Sequence, residues 1–287
     1  MEDEYIKSVT PQKNCCLRRE GYSGSIYNLG ATPVARRLVT AAAQVLGQEF
    51  REFTRVRLAQ YHLPAEEFRR RIGTARSAIT GEPLFRELIR ELLREIGFDP
   101  AQTAFDLPRL RAVISGGHSN PKAAPAYSAH RDTWYGNPQA QINCWIPLHD
   151  VGESESFAFY PGFFDVPVPN SSASFDYDRW AQAVRWQNPN PGRDAVYPTV
   201  LTALDVKSRR GFSLREAEVL IFSAAHLHRT LPNDSGETRF SLDFRAVYIP
   251  DHAAGKGAPN VDNHSTRSSL KDYVSPSPQR ESSSAHL

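Results

Sequence analysis

A mainly β fold with flanking helices, of the α+β class, is predicted by three features of this 287-residue sequence. Apolar residues at helical spacing are concentrated in the first hundred positions. Short stretches of alternating character, bounded by turn residues, fill most of the rest. Histidine and aspartate side chains from distant strands can also converge on one point. Helices first and many short strands after place a helical layer on a β-sandwich. A site assembled from different strands fits the jelly-roll type.

Residues 1 to about 30 are polar, contain Gly and Ser, and read as a flexible arm. A single domain is expected over 31–274, with its core at about 107–250, followed by a disordered tail over 275–287. Thr32-Pro33 has the form of an N-cap followed by Pro at the first helical position. Val34, Leu38, Ala42 and Val45 recur behind it at near-helical spacing, up to Gly47. A second helix is expected from about Pro64 to Ala78. It carries Arg69, Arg70, Arg71 and Arg76, and such a run is usually a solvated face. Leu84, Leu88, Leu92 and Ile96, with Phe85, Ile89 and Leu93 beside them, form a wide apolar stripe closed by Gly97. That helix should pack on the outside of a sheet.

The character changes at Leu107. Arg109 to Ile114 reads as a strand, followed by a loop from Gly116 to Pro125 and a further extended stretch from Ala126 to Thr133. In Gln141 to Leu148, Ile142, Cys144, Ile146 and Leu148 alternate with Gln141, Asn143 and Trp145. One face is then in the core while the other lines a pocket. Phe157 to Tyr160 is a short aromatic strand ending at Pro161-Gly162. Phe175 to Trp186 reads as a helix on the spacing of Trp180 and Val184, and Asn188-Pro-Asn-Pro-Gly192 as a loop. Glu218 to Ser223 and Arg239 to Tyr248 are the last strands.

Bulk properties exclude several classes. The net charge of +2 is too small to argue for nucleic acid or an acidic membrane. No apolar run is long enough to span a bilayer. The start, MEDEYIKSVTPQKNCC, is acidic and lacks an apolar h-region, unlike a secretory signal. Cys15, Cys16 and Cys144 are too few for a disulfide scaffold and suit a reducing cytoplasm. Cys15 and Cys16 resemble a metal pair, but no second thiol cluster completes it.

The chemistry concentrates at His130-Arg-Asp132 and, about a hundred positions later, HLHRTLPNDSGETRFS. His and Asp two apart in an extended strand point to the same side. A second His, either His226 or His228, delivered at the end of the Glu218–Ser223 strand, completes two imidazoles and one carboxylate on one face of a metal. Such a triad on non-haem Fe(II) leaves positions open for a chelating co-substrate and O2. On the last strand Arg239, Ser241, Asp243 and Arg245 share one face, and Phe240, Leu242, Phe244 and Ala246 share the core face. An Arg facing inward needs an anionic partner. The distal carboxylate of 2-oxoglutarate would serve, with Ser241 donating to it as well. The rival partner is an acidic residue of the chain such as Asp243. Thr133 and Asn143 are further candidates to reach the co-substrate. Trp134 and Tyr135 are candidate walls of the substrate pocket. Arg131 points away from the metal and is structural, and His118 and His149 are expected to be solvated.

His130-Arg-Asp132, then His228, with Asn233 five residues and Arg239 eleven residues beyond it, is similar to the phytanoyl-CoA dioxygenase-like branch of Fe(II)/2-oxoglutarate-dependent oxygenases. The resemblance covers about Leu107 to Pro250. It implies a double-stranded β-helix (jelly roll, cupin-like) with flanking helices. It also implies Fe(II), 2-oxoglutarate and O2 as cofactors and Arg239 as the co-substrate arginine. The offset of eleven selects His228 as ligand, with His226 as its rival. Where many members carry an Asn-Gly-Pro-Leu-like segment, this chain reads Glu153-Ser-Glu-Ser-Phe-Ala-Phe-Tyr160, and it has no CoA-binding signature. A carboxylate at 132, in place of the small residue of halogenases, favours oxygenation or desaturation. The implied activity is hydroxylation, desaturation or cyclisation at an unactivated C–H of a small molecule. On class frequency this is a natural-product intermediate or an amino-acid derivative. The alternative is a cupin-like metal enzyme that does not use 2-oxoglutarate, such as an isomerase or another dioxygenase. A non-catalytic jelly-roll binding module is the remaining class.

Overall fold

The computed structural model describes residues 5–10, 16–183 and 197–276. Its elements in chain order are β1 (Lys7–Ser8), α1 (Cys16–Tyr22), β2 (Tyr27–Ala31), α2 (Pro33–Glu49), α3 (Ala65–Gly81), α4 (Pro83–Glu95), β3 (Thr103–Phe105) and β4 (Arg109–Val113). There follow β5 (Gln141–Pro147), β6 (Phe157–Phe159), α5 (Tyr177–Ala183), β7 (Glu218–Ser223), β8 (His228–Thr230), β9 (Arg239–Tyr248) and α6 (Ile249–Ala253). The helices expected from periodicity form where their signals stand. Thr32 caps α2, its hydroxyl accepting from the Ala35 N–H at 3.1 Å. In α4, Phe85, Leu88, Ile89, Leu92 and Leu93 are buried and Leu84 is exposed. In the Arg run of α3, Arg69 and Arg70 are exposed, but Arg76 is drawn in to donate from Nε to the Leu110 carbonyl at 2.9 Å. It thereby covers part of the open edge of β4.

Seven strands form one sheet in the order β1-β2-β7-β5-β9-β3, with β4 also pairing β9. Within that sheet β1 and β2 pair in parallel and the other described pairs are antiparallel. β9 is the hub. It holds β5 along one edge, and β3 and β4 share the other. Its even-numbered residues Phe240, Leu242, Phe244 and Ala246 pack in one hydrophobic cluster with Ile142, Cys144 and Ile146 of β5, Val219 and Ile221 of β7, and the apolar stripes of α2, α3 and α4. Each fully buried Leu, Ile or Phe of that interface contributes about 1.5–3 kcal/mol. The odd-numbered face is turned the other way, towards a two-stranded sheet of β6 and β8. There Trp145, Leu220 and Phe222 meet Phe157, Phe159 and Phe212 in a second apolar cluster. A large sheet clad by helices on one face and packed on a small sheet through the other is the mixed α and β architecture of this chain.

Three expectations need correction. The described part of 1–30 is not a loose arm: β2 pairs antiparallel with β7, and Tyr27 and Leu29 are buried. Five residues, with Asn28 between the buried pair and Gly30 after it, are too few to stand out by pattern, and the strand exists because β7 offers it an edge. Residues 126–133 are not a continuous strand. The chain passes through 3-10 turns over Pro121–Tyr127 and Asp132–Tyr135, and only His130 makes a β-bridge. The helix expected from Phe175 begins at Tyr177. Its expected end at Val184 to Trp186 lies outside the described residues, as do the Asn188–Gly192 loop, Cys15 and the tail from 277. Among the described residues no helix is long and apolar enough to cross a membrane.

The N-terminal segment is tied to the hub strand by charge. Arg18 of α1 donates from Nε to Asp251 of α6 at 2.5 Å, with both side chains about nine-tenths buried. Its guanidinium also lies over the Tyr248 ring, 3.9 Å from the centroid. Arg18→Ala strands a buried carboxylate, so thermal or denaturant unfolding should show a loss of about 3–5 kcal/mol. Replacing Arg18 and Asp251 together by apolar residues should restore much of it.

Candidate metal centre

The site is built by a backbone pair. His130 and His228 form an isolated antiparallel bridge in which each N–H donates to the other's carbonyl, at 2.9 and 3.0 Å. The bridge sets the two imidazoles side by side with ring centroids 4.5 Å apart. After His130 the chain stays extended through Arg131 (φ −105°, ψ 141°) and then turns at Asp132. The turn closes on Gly136 at φ 73°, a left-handed conformation in which a side chain would be strained and would approach the Arg267 carbonyl at 3.0 Å. Asp132 therefore reaches the side of His130 through one extended residue and a turn, not through a strand. A nitrogen of each imidazole and a carboxylate oxygen of Asp132 all lie within 4.8 Å of one another.

Hydrogen bonds fix which atoms point inward. Nδ1 of His130 lies 2.9 Å from the Ser128 carbonyl, and Nδ1 of His228 lies 2.9 Å from the His226 carbonyl. A carbonyl only accepts, so both Nδ1 atoms carry the proton and both Nε2 atoms present a lone pair. Those Nε2 atoms stand 3.5 and 3.9 Å from the same oxygen, Oδ1 of Asp132. Three acceptors facing one another repel unless a cation lies between them, and this tautomer and orientation are what a metal ligand needs. Burial pushes the His228 ring down to about 4, helped by His130 beside it and opposed by Asp132. The ring is thus neutral at neutral pH, as a ligand must be.

The other oxygen of Asp132 is fastened. Tyr273 donates its hydroxyl to Gln141 Oε1 at 2.6 Å, Gln141 Nε2 donates to Asn143 Oδ1 at 2.7 Å, and Asn143 Nδ2 donates to Asp132 Oδ2 at 2.7 Å. Every donor in this chain points the same way, so the bonds polarise one another towards the carboxylate. Asn137 holds the backbone, donating to the Asp132 carbonyl at 2.8 Å. Arg245 Nε lies 3.9 Å from Oδ2 and is itself held by Asp106 at 3.2 Å. Burial pushes the Asp132 carboxyl up, but His130, Arg245 and His228 outweigh it and hold it well below the usual carboxylate range.

Arg239 and Ser241 stand along β9, on the inner face with Arg245. Arg239 is buried, and its guanidinium lies 5.7 Å from the Trp145 ring centroid. Trp145 is two residues along β5 from Asn143, on the same face of the strand. Nη1 donates to the Glu155 backbone carbonyl at 3.0 Å. Nε of Arg239 and the hydroxyl of Ser241 are both buried without a partner. Among the described residues no carboxylate comes within 4 Å of Arg239. Asp243, the rival partner, is gripped by Arg111, and Glu155 turns its carboxylate to Arg57 at 3.4 Å. Burial and the neighbouring Arg111 push Arg239 down to about 10, so it remains charged at neutral pH. Asn233, buried in the turn before β9, donates to the carbonyls of Val113 and Glu237, both at 2.8 Å, and so fixes where Arg239 begins.

The remaining candidates divide. His226 is buried with Nδ1 and Nε2 set against the Ser223 and Gly24 carbonyls, both at 3.1 Å, and stands outside the triad. Asn143 gives its amide to Asp132 rather than to the cavity. Thr133 is buried, and the bonds that place it run through its backbone, to Ala224 and Ser265. Trp134, expected as a pocket wall, is instead fully buried core, its indole N–H on Asp262 at 2.8 Å. Asp262 also takes Nε of Arg131 at 3.1 Å, and Arg131 caps the Phe163 and Val166 carbonyls from the back of the site. Tyr135 packs edge-on against the His130 ring at 5.3 Å. His149 is half-buried and accepts the Phe240 N–H through Nε2 at 3.0 Å. Sequence reasoning missed Arg245, Asp106, Gln141 and Tyr273 as supports of Asp132. Only the polar alternation of β5 and β9 hinted at them.

No protein-family model matches the chain, and no curated protein matches it. Among solved structures it is similar to the non-heme monooxygenase ThoJ in its apo form, at 15% identity and a TM-score of 0.42, over 80% of this chain and 77% of that one. It is also similar to EvdO2 from Micromonospora carbonacea var. aurantiaca, at 12% identity and a TM-score of 0.47, over 84% of this chain and 94% of that one. EvdO2 has further been solved in complex with 2-oxoglutarate, and there the TM-score is 0.44 at 14% identity, over the same shares of the two chains. The likenesses are distant, and the side chains of the site carry the functional reading.

Asn143→Ala frees Oδ2 of Asp132 and ends the relay from Tyr273. Calorimetric titration with Mn(II) should show affinity about 10- to 100-fold weaker than wild type, with the melting temperature of the metal-free protein changed far less.

Proposed function

We propose that the chain is a non-haem Fe(II)/2-oxoglutarate-dependent oxygenase on a double-stranded β-helix (jelly-roll) fold. It would oxidise an unactivated C–H bond of a small molecule. The observation that carries this reading is a pair of orphaned groups. A buried guanidinium Nε and a buried hydroxyl, from Arg239 and Ser241, sit two residues apart on one strand face. A chelating diacid held at the triad would present its far carboxylate there. Left alone, a buried unpaired donor costs about 1–3 kcal/mol and a charged one more. A carboxylate satisfies both donors.

His130, Asp132 and His228 would hold the metal, two neutral imidazoles and one carboxylate leaving one face open. Fe(II) with 2-oxoglutarate and O2 supplies the oxidising power that the side chains of this chain lack. The chain itself does the positioning. The relay from Tyr273 to Asn143 keeps Oδ1 of Asp132 turned to the histidines. The bridge of His130 and His228 fixes the angle between the rings. Phe157 and Phe222, 5.7 and 5.6 Å from the His228 ring, wall that side with apolar surface and keep water from it. Arg239 would hold the far carboxylate of the co-substrate and so help to orient it.

Anaerobic titration of the Fe(II)-loaded protein with 2-oxoglutarate should produce a weak visible charge-transfer band. Arg239→Ala should raise the concentration needed for it about 10- to 100-fold, the loss expected for a charged hydrogen-bonding partner. Asp132→Ala should abolish it. Iron uptake with no band at saturating 2-oxoglutarate would favour a cupin-like metal enzyme that does not use this co-substrate.

A further inference from the structure

One guanidinium on the inner wall has an edge that no described residue uses. Arg111 of β4 meets Asp243 of β9 side-on, with Nε 3.1 and 3.2 Å from the two carboxylate oxygens and Nη2 2.9 Å from Oδ2. A guanidinium offers two edges to a bidentate partner, Nε with Nη2 and Nη1 with Nη2. Asp243 occupies the first. Among the described residues no acceptor meets Nη1.

Arg111 stands on the inner face, opposite Ser241 in the β4–β9 register. Its side chain is 42% open to solvent, and Asp243 beside it is 21% open, so a ligand can reach the unused edge. The charge of Arg111 bears on Asp132 and on Tyr135, whose ring packs on His130. Arg239 and Ser241, by contrast, are 3% and 0% exposed, at the closed end.

We propose that the substrate of this site carries an oxyanionic group, a carboxylate or a phosphate ester. The Nη1–Nη2 edge of Arg111 binds it, and Asp243 holds the guanidinium in place. This assignment rests on the oxygenase reading, in which Arg239 is already engaged by 2-oxoglutarate.

The test uses the full chain loaded with Mn(II) and saturating 2-oxoglutarate, titrated calorimetrically with benzoate, phenyl phosphate and benzamide as matched probes. Benzoate should bind and benzamide should bind at least about 10-fold more weakly. Arg111→Lys keeps a charge for Asp243 but has no second edge. It should weaken benzoate about 10-fold or more while leaving the affinity for 2-oxoglutarate unchanged. The double replacement of Arg111→Met with Asp243→Leu leaves no unpaired charge and should show the same loss. Tighter binding of phenyl phosphate, lost equally in both variants, supports the oxyanion site with a phosphate ester as its occupant. The proposal is overturned if benzamide binds as well as benzoate, if no probe binds the loaded wild type, or if the variants leave benzoate untouched. Loss of 2-oxoglutarate itself in Arg111→Lys would make Arg111 the co-substrate arginine and would overturn it too. A wild-type protein that takes up Mn(II) but not 2-oxoglutarate sinks the oxygenase reading before any probe is added, and the substrate assignment with it.

Discussion

A carboxylate with one oxygen tied and the other left open is the constraint on which this site depends. Asp132 is buried, and burial alone would favour its neutral form. The chain keeps it ionised by delivering an amide proton from Asn143 and the charge of Arg245 to Oδ2. Oδ1 is left facing two imidazole nitrogens that already hold their protons elsewhere. That geometry stores repulsion between three lone pairs. A cation at their centre turns the repulsion into ligation, so the same contacts that destabilise the empty arrangement give affinity to the filled one.

Supporting such a group requires a polar interior wall, and the sheet provides it through alternation. On β9 the even residues cement the sheet to the helical layer, which frees the odd residues to be Arg239, Ser241, Asp243 and Arg245. Charges buried in this way are tolerable only when paired. The pairings are made across strands: Arg111 to Asp243, and Arg245 to Asp106. Among the described residues Arg239 then meets no carboxylate, and its isolation follows from register. β4 pairs with β9 so that Arg111 stands opposite Ser241, close enough to take Asp243 away from Arg239. A slip of one residue would reverse the faces and bury the wrong set.

Much of this was legible in the sequence. The apolar stripes of α2 and α4 and the alternation in β5 and β9 are local signals, strong because one face of each element meets a large core. The pairing of His130-x-Asp132 with a histidine eleven residues before Arg239 was legible as a pattern of spacing. The rest depends on contacts between residues far apart in the chain. Tyr273 reaches Gln141 across 132 positions, and nothing local marks either as a support of Asp132. β2 has too few residues to show a period. Asp132 lies in a turn, so the argument from strand alternation reached the right side of the chain for the wrong local reason. Trp134 follows Thr133 in that same turn, and the turn swings its indole away from the cavity onto Asp262.

The two histidines of His226-Leu-His228 illustrate how the fold separates residues that the sequence cannot. Both rings are pushed down to about 4, and they stand two apart. Pattern alone leaves them equivalent. The backbone bridge to His130 falls on His228 and not on His226, and it is this main-chain pairing, before any side-chain chemistry, that brings one ring to Asp132. His226 falls before the bridge, and both of its nitrogens meet carbonyls, one of them from Gly24 just ahead of β2. The N-terminal segment, which the sequence offered as a loose arm, thus engages the histidine that stands outside the triad. A residue identical in type becomes a structural tie, and the distinction rests on a single pair of backbone hydrogen bonds.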